Sequence, residues 1–366
     1  MGSVWKNRIA ISIFGQSHGK AIGVTLDGIP SGEHIDIEEL KGFLKRRAPG
    51  RFPWSTPRKE ADEPEFLSGL NHDGYTTGSP ITAVIYNTNV RSADYEELRR
   101  IPRPGHADFA AFEKYGEYVD LSGGGHFSGR LTATLCIAGG LCLQILKRRG
   151  VAIGAHIASI GEVQGDLFDP VTIDAQTLME LTEMDFPVIN PCISPRMIAE
   201  IESAKAEQDS VGGVIECAAV GVPSGLGSPM FGGMENRIAS LAFAVPAVKG
   251  IEFGAGFAAA SMRARVTNDP FYVTTDENDE NKRTVKTRRN CHGGILGGIT
   301  SGMPIIFRAA IKPTPSIAKE QESVHLDRLE PELLSVRGRH DPCIAPRAVP
   351  CMEAVLAIAI YDATLE

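Results

Sequence analysis

The chain has 366 residues, of which 43% are hydrophobic, 22% charged and about a sixth glycine or proline. That size and balance let it bury a large core unaided, which excludes a mainly disordered, collagen-like or small disulfide-built architecture. A net charge of −8 argues against a nucleic-acid binder, whose domain is usually basic.

In chain order, a β-like run at Ile9–Phe14 leads into Gly15-Gln16-Ser17-His18-Gly19-Lys20. The glycine spacing and the Ala after Lys20 exclude a nucleotide-binding P-loop. A histidine between two glycines suits either close backbone approach to a ligand or a plain turn. Ile22–Leu26 reads as a strand, followed by a Pro-Ser-Gly turn. Ile37–Arg47 reads as a helix, with Ile37, Leu40, Phe43 and Leu44 on one face. Lys45, Arg46, Arg47, Arg51, Arg58 and Lys59 then fall within fifteen residues that contain no acid. A local basic patch on an acidic protein fits a small polyanion better than a long phosphate backbone.

Pro80–Tyr86 reads as β. Arg103-Pro104-Gly105-His106-Ala107-Asp108 sets a second histidine after a rigid turn. It suits proton transfer near neutral pH, with Asp108 as its partner or as a cap of the next helix. Ser122–Arg130 is glycine-rich and opens the apolar helix Leu131–Leu146; such a turn at a helix start can bind an anion or simply turn. That 16-residue stretch is expected to be a core helix, too short and mixed to span a bilayer. Asp166–Pro195 is expected to be a surface excursion. Val214–Ala219 and Pro304–Ile311 read as strands. The basic run Lys282–Arg289 reads as a solvated loop beside Asp276–Glu280. Lys312-Pro313-Thr314-Pro315-Ser316 could clamp a phosphate or a ring, or form a stiff edge loop. Arg337-Gly338-Arg339-His340-Asp341-Pro342 gathers two arginines, a histidine and an aspartate before the apolar helix Val349–Tyr361; the arginine forks suit carboxylates and phosphates.

The chain repeats itself. Gln16–Gly32 and Asp209–Gly225 share seven of 17 positions without a gap. Gly78–Ile81 is echoed by Gly302–Ile305, His106 by His340, and Arg130 by Arg347. Two diverged copies of one α+β unit are expected, about 1–150 and 200–366, within a single 1–366 domain. The fold expected is α+β, with helices sandwiched between two antiparallel sheets. Seven cysteines without CxxC spacing and a start unlike a leader point to free thiols in a cytoplasmic protein, with no metal.

Together these segments resemble the chorismate synthase family. The match runs from GQSHG (15–19) through DGIPSG (27–32), RRAPG (46–50), TTGSPI (76–81), Asn87–Tyr95 (Ala93 included), RPGHAD (103–108), GGGHFSGR (123–130) and DSVGG (209–213). It continues through PAVKGIEFGAGF (246–257), GGILGGITSG (293–302), KPTPS (312–316) and GRHDPCIAPRAVP (338–350), all in the family's order.

The resemblance implies the 1,4-anti elimination of phosphate from 5-enolpyruvylshikimate 3-phosphate, giving chorismate. It requires reduced FMN without net redox change, the flavin being reduced by an external NADPH-dependent reductant. It implies a cytoplasmic homotetramer acting on a small molecule, with no nucleic acid or membrane partner. Catalysis would fall to His106 at the leaving phosphate, His18 at the reduced flavin and Asp341 as the carboxylate tuning flavin N5. Arg47, Arg103, Arg130 and Arg339 would hold the substrate's anions in a dry, cation-rich pocket. The flavin would contact His126, Phe127, Ser128, Ala247, Gly297, Lys312, Pro313, Thr314, Pro315, Ser316 and Arg339. The chain departs from the family pattern at Gln16, His126, Phe127, Leu131, Pro246 and Pro53. His126 stands where an arginine is usual, so flavin binding is expected to weaken above about pH 6.5–7, the ordinary histidine range. The alternative is a diverged paralogue that binds flavin or a phosphorylated ligand without turnover.

Overall fold

A computed structural model describes residues 2–56, 60, 62–87, 100–276, 279–336 and 340–366. Arg58, Lys59, Arg339 and most of the 87–95 motif lie outside the described residues. The first antiparallel sheet takes β1 (Val4–Lys6), β2 (Ala10–Gly15), β3 (Ala21–Asp27), β4 (Glu65–Ser68) and β5 (Ile81–Tyr86), in the order β1-β2-β3-β5-β4. A second is built from β6 (Ala152–Ile160), β7 (Val163–Gln164), β8 (Gly213–Val220) and β9 (Val248–Phe253). Three two-stranded hairpins stand apart: β10 (Phe271–Asp276) with β11 (Asp279–Thr287), β12 (Ile295–Leu296) with β13 (Ile299–Thr300), and β15 (Gln321–His325) with β16 (Glu330–Leu334). β14 (Ile305–Ile311) completes the second sheet, in the order β7-β6-β8-β14-β9, all antiparallel.

The helices are α1 (Ile37–Arg47), α2 (Asp108–Tyr115), α3 (Thr132–Arg148), α4 (Ala175–Glu183), α5 (Ser194–Ala206), α6 (Met234–Ala242), α7 (Ala264–Thr267) and α8 (Ala345–Ala363). Asp36 caps α1 by accepting from the amides of Glu38 and Glu39, and Leu40 and Leu44 face inward. α3 and α8 form the middle layer. α3 lies towards the first sheet, α8 towards β6 and β8, and they pack most extensively on each other. At their crossing a Cβ on Gly139 would overlap Ala354, so only glycine permits this approach. One continuous apolar core runs from β2 and β3 through both helices to β8 and β14. The expected sandwich of helices between two antiparallel sheets is the architecture found.

Three details differ from expectation. The second sheet begins with β6 at Ala152, ahead of the repeat boundary drawn at residue 200. Asp166–Pro195 is more than an excursion: α4 in its middle buries Leu178 and Leu181 with Phe168 against Ala218 and Ile306, covering that sheet's outer face. Joined to the short helical turn at Gly129–Leu131, the α3 rod runs 20 residues and is long and apolar enough to cross a membrane. It is 89% buried among the chain's own elements.

Candidate active site

β2 ends at Gly15, and the loop after it is tied across the sheet edge. Asn87 Nδ2 donates to the carbonyls of Gln16 (3.0 Å) and Gly19 (2.8 Å), and the Ser17 amide donates to the Gly125 carbonyl (3.0 Å). Gly123, Gly124 and Gly125 have φ of +61°, +88° and +53°. That left-handed course, open to glycine, leaves no side chain where two rings arrive. A Cβ on Gly123 would overlap the His18 ring, and one on Gly124 would sit 3.3 Å from His106 Nε2. The two imidazoles therefore lie against successive glycines of one turn.

His106 is held from behind. Asp108 accepts from His106 Nδ1 (2.6 Å), from Arg103 Nε (2.7 Å) and Nη2 (2.8 Å), and from the Arg103 amide (3.1 Å). The Asp108 side chain caps no helix; α2 begins without a side-chain cap. Burial pushes the Asp108 carboxyl up, but the hydrogen bonds from Arg103 and His106 outweigh it and hold it far below the usual range. An ionised Asp108 fixes the proton on Nδ1 and turns Nε2 to the glycine turn. Arg103 Nη1 also donates to Ser316 Oγ (3.1 Å), and Lys312 Nζ donates to the Gly105 carbonyl, which joins the 312–316 loop to the cluster. Burial, with Lys249 nearby, lowers the Lys312 ammonium's pKa.

On the other flank, Arg47 donates to Thr132 Oγ1 (3.0 Å), the Gly129 carbonyl (3.0 Å) and Asp62 (2.5 Å). Arg130 pairs with the same Asp62 and with Glu60 (3.0 Å), and its Nε approaches Asn87 Oδ1 (3.4 Å). Asp341 accepts from the Thr56 amide (3.0 Å) and from Arg347, whose Nε donates to the Arg47 carbonyl (3.1 Å). A continuous path of contacts thus runs from Lys312 through both histidines' glycine turn to Asp341. The pocket was expected to be rich in fixed cations. Instead Arg47, Arg103 and Arg130 each meet a carboxylate, and Arg347 does the same beside them. Buried guanidinium ions are rarely left without counter-charge, so the chain supplies its own.

The remaining expected residues divide. Ser128 lies next to Gly124 and accepts from the Arg130 amide (3.3 Å). Pro313 and Pro315 pack near Gly212 and Gly105, and the Ala247 carbonyl accepts from the Lys312 amide (2.9 Å) at a φ of +75°. Ser17 and Thr314 carry buried hydroxyl oxygens without a hydrogen-bond partner among the described residues. Phe127 turns to Tyr115. Gly297 sits in the β12–β13 turn, whose neighbour Gly298 is anchored to Ser228, Gly233 and Met234 on the α6 side. His126 spends both nitrogens on the protein: Nδ1 donates to the Gly15 carbonyl (2.8 Å), and Nε2 meets Ser3 Oγ (2.6 Å). Sequence reasoning missed Asp62, Glu60 and the grip of Arg347 on Asp341. Three acids, Glu60, Asp62 and Glu63, directly follow the basic run, and that juxtaposition was the available signal.

The sandwich and this loop cluster define an α+β enzyme that acts on a small molecule. A family model described as chorismate synthase matches residues 9–365. The chain is similar to chorismate synthases of Lancefieldella parvula (44% identical, 99% of this chain and 96% of that one) and Korarchaeum cryptofilum (42%, 99% and 97%). A crystal structure of chorismate synthase superposes with a TM-score of 0.75 at 28% identity, covering 98% of this chain and 92% of that one. The chain belongs to the chorismate synthase family, lyases of the shikimate pathway in aromatic biosynthesis.

Proposed function

We propose that this chain converts 5-enolpyruvylshikimate 3-phosphate to chorismate and phosphate by 1,4-anti elimination, with reduced FMN bound. The observation that carries the reading is the pair of imidazoles on one glycine turn, one of them oriented by an ionised Asp108. As the imidazolium, with its Nδ1–H held by Asp108, His106 gives its Nε2 proton to the phosphate oxygen as it leaves and is left as the neutral Nδ1–H ring, neutralising charge where it develops. Arg103 and Arg130 hold the substrate's carboxylates and phosphate, with Arg47 and Arg339 completing the set. The turn and the 312–316 loop exclude water around them.

The residues fit a flavin. Ser17 and Thr314 offer buried hydroxyls that lack a partner among the described residues, and the His18 ring lies in the space that a side chain on Gly123 would take. Ser128, Ala247, Gly297 and Lys312–Ser316 would hold it, His18 would hydrogen-bond it, and Asp341 would face its basic edge. When bound, reduced flavin supplies electron density for C–O cleavage and a basic nitrogen for the C6 proton. The reductant is external and NADPH-dependent, and the protein works as a cytoplasmic homotetramer.

The test is anaerobic phosphate release from the substrate with chemically reduced FMN. Steady release is the expected result. FMN binding without release would make the chain a ligand-holding paralogue, and FMN-dependent NADPH oxidation without release would make it an oxidoreductase.

A further inference from the structure

We propose that Asp62 is a positioning residue for substrate binding: its buried carboxylate fixes the Arg130 guanidinium and uses Arg47 as its second anchor. This rests on the reading that Arg130 binds an anionic group of the substrate. The Asp62 side chain is fully buried; Oδ2 takes Arg47 Nη1 at 2.5 Å and Oδ1 takes Arg130 Nη1. Arg47 is itself immobile. Thr132 Oγ1 and the Gly129 carbonyl hold two of its nitrogens, and Arg347 holds its backbone carbonyl. Two guanidiniums that share one carboxylate repel each other, and in a dry site that repulsion is poorly screened. The carboxylate between them lets both stay. Asp62 adopts a φ of +51°, a left-handed conformation that aspartate takes more readily than most side-chain-bearing residues.

The same geometry argues against a competing role, in which the substrate displaces Asp62. Withdrawing Asp62 would leave Arg47, which is 3% exposed, as an uncompensated buried charge, and breaking a buried pair from one side is strongly destabilising. Asp62 therefore stays, and the substrate meets an Arg130 already aimed. Asn87 continues the chain of support, since it reaches Arg130 with its oxygen and the 16–19 loop with its nitrogen.

Steady-state phosphate release with reduced FMN, run on Asp62→Asn, Arg130→Gln and the double variant, tests this. Asp62→Asn should raise KM for the enolpyruvyl substrate roughly 10–100-fold, the size of a lost charge-assisted contact, and change kcat less than threefold. Arg130→Gln should raise KM similarly. The double variant should be no worse than Arg130→Gln alone, because Asp62 acts only through Arg130. Should Asp62→Asn fail to fold, Asp62→Glu, which keeps the charge but moves the carboxylate by one methylene, carries the expectation in the same direction: a raised KM with kcat changed less than threefold. An unchanged or lowered KM for Asp62→Asn beside a raised one for Arg130→Gln overturns the proposal alone, as do effects that multiply in the double variant. An unchanged KM for Arg130→Gln takes down the underlying reading of Arg130 and the proposal with it.

Discussion

Among the described residues, two ionic networks lie under different sheets of this molecule, and only one of these two borders a glycine turn that receives two imidazoles. In the second sheet His156, Glu216, Arg308 and Glu252 lie side by side on β6, β8, β14 and β9, each in register with the next. Glu216 accepts from His156 (3.0 Å), the Phe168 amide (2.7 Å) and Arg308 (3.3 Å), and Arg308 turns to Glu252 (2.7 Å). Period-two alternation puts this row on the face of Ala218 and Ile306, beneath α4 and Phe168. It is a rung of alternating hydrogen-bond donors and acceptors across four strands. The network of Arg47, Asp62, Arg130, Asp108 and Arg103 comes instead from helix ends and loops, and it borders His18 and His106. Buried charge alone does not mark a site. What marks this one is that two imidazoles lie against its glycines, beside two buried hydroxyls that lack a partner among the described residues.

The contrast breaks most readily at His106. His106→Ala should lower turnover about 10²–10⁴-fold, the usual weight of a lost proton donor, with an unchanged melting curve. Phosphate release and thermal denaturation measured together check this, and normal turnover would strip the turn of its catalytic meaning. Glu216→Gln should do the reverse. It leaves Arg308 with Glu252 alone, so stability should fall by about 3 kcal/mol, at the low end for breaking a buried pair, while kcat stays within twofold. A large loss of activity in that variant would couple the two networks. Asp108→Asn separates them by pH. The Asp108 carboxyl is depressed in the folded protein, so its stabilisation is present above the ordinary carboxyl range and fades as the pH falls through the folded value. Wild type should therefore outlast Asp108→Asn in urea at neutral pH, and the gap should narrow only below about pH 4. A gap that closes already at pH 6 would assign the stabilisation to another group.

Much of this was legible before any coordinates. The spacing of Ile37, Leu40, Phe43 and Leu44 gives α1 its observed bounds. Apolar runs located β3, β5, β8, β14, α3 and α8 because each is buried along most of its length. α8 starts earlier than the apolar run suggests, since Pro346 is tolerated in a helix's first turn. β6 was missed because its alternation of small and apolar residues falls between the two repeats. In the site, motifs pointed to the histidines and arginines, whose chemistry shows in single residues. Asp62 and Glu60, which neutralise Arg130, did not stand out: an Asp or Glu becomes a counter-ion only through contacts such as Arg130–Asp62, which depend on loop conformation. At Phe127 and Gly297 a motif position is met while the immediate neighbours belong to another element, a placement that the motif itself does not show.

The smallest expected effect concerns His126. An arginine there would bring fixed charge to a bound phosphate, and a histidine in the same role would make FMN binding fade above about pH 7. The geometry gives the ring different work. With Nδ1 donating to the Gly15 carbonyl, the neutral ring has no second N–H, and Nε2 accepts from Ser3 Oγ; a proton added at Nε2 would point at that same hydroxyl. Either form ties the glycine turn to β2 and the N-terminus, and neither aims a donor at a ligand. FMN affinity measured by fluorescence quenching should therefore vary less than twofold between pH 6 and 8, and His126→Gln, which keeps one donor and one acceptor, should bind as wild type does. A tenfold weakening across that range would return His126 to the flavin and show that the ring leaves Ser3 when the cofactor binds.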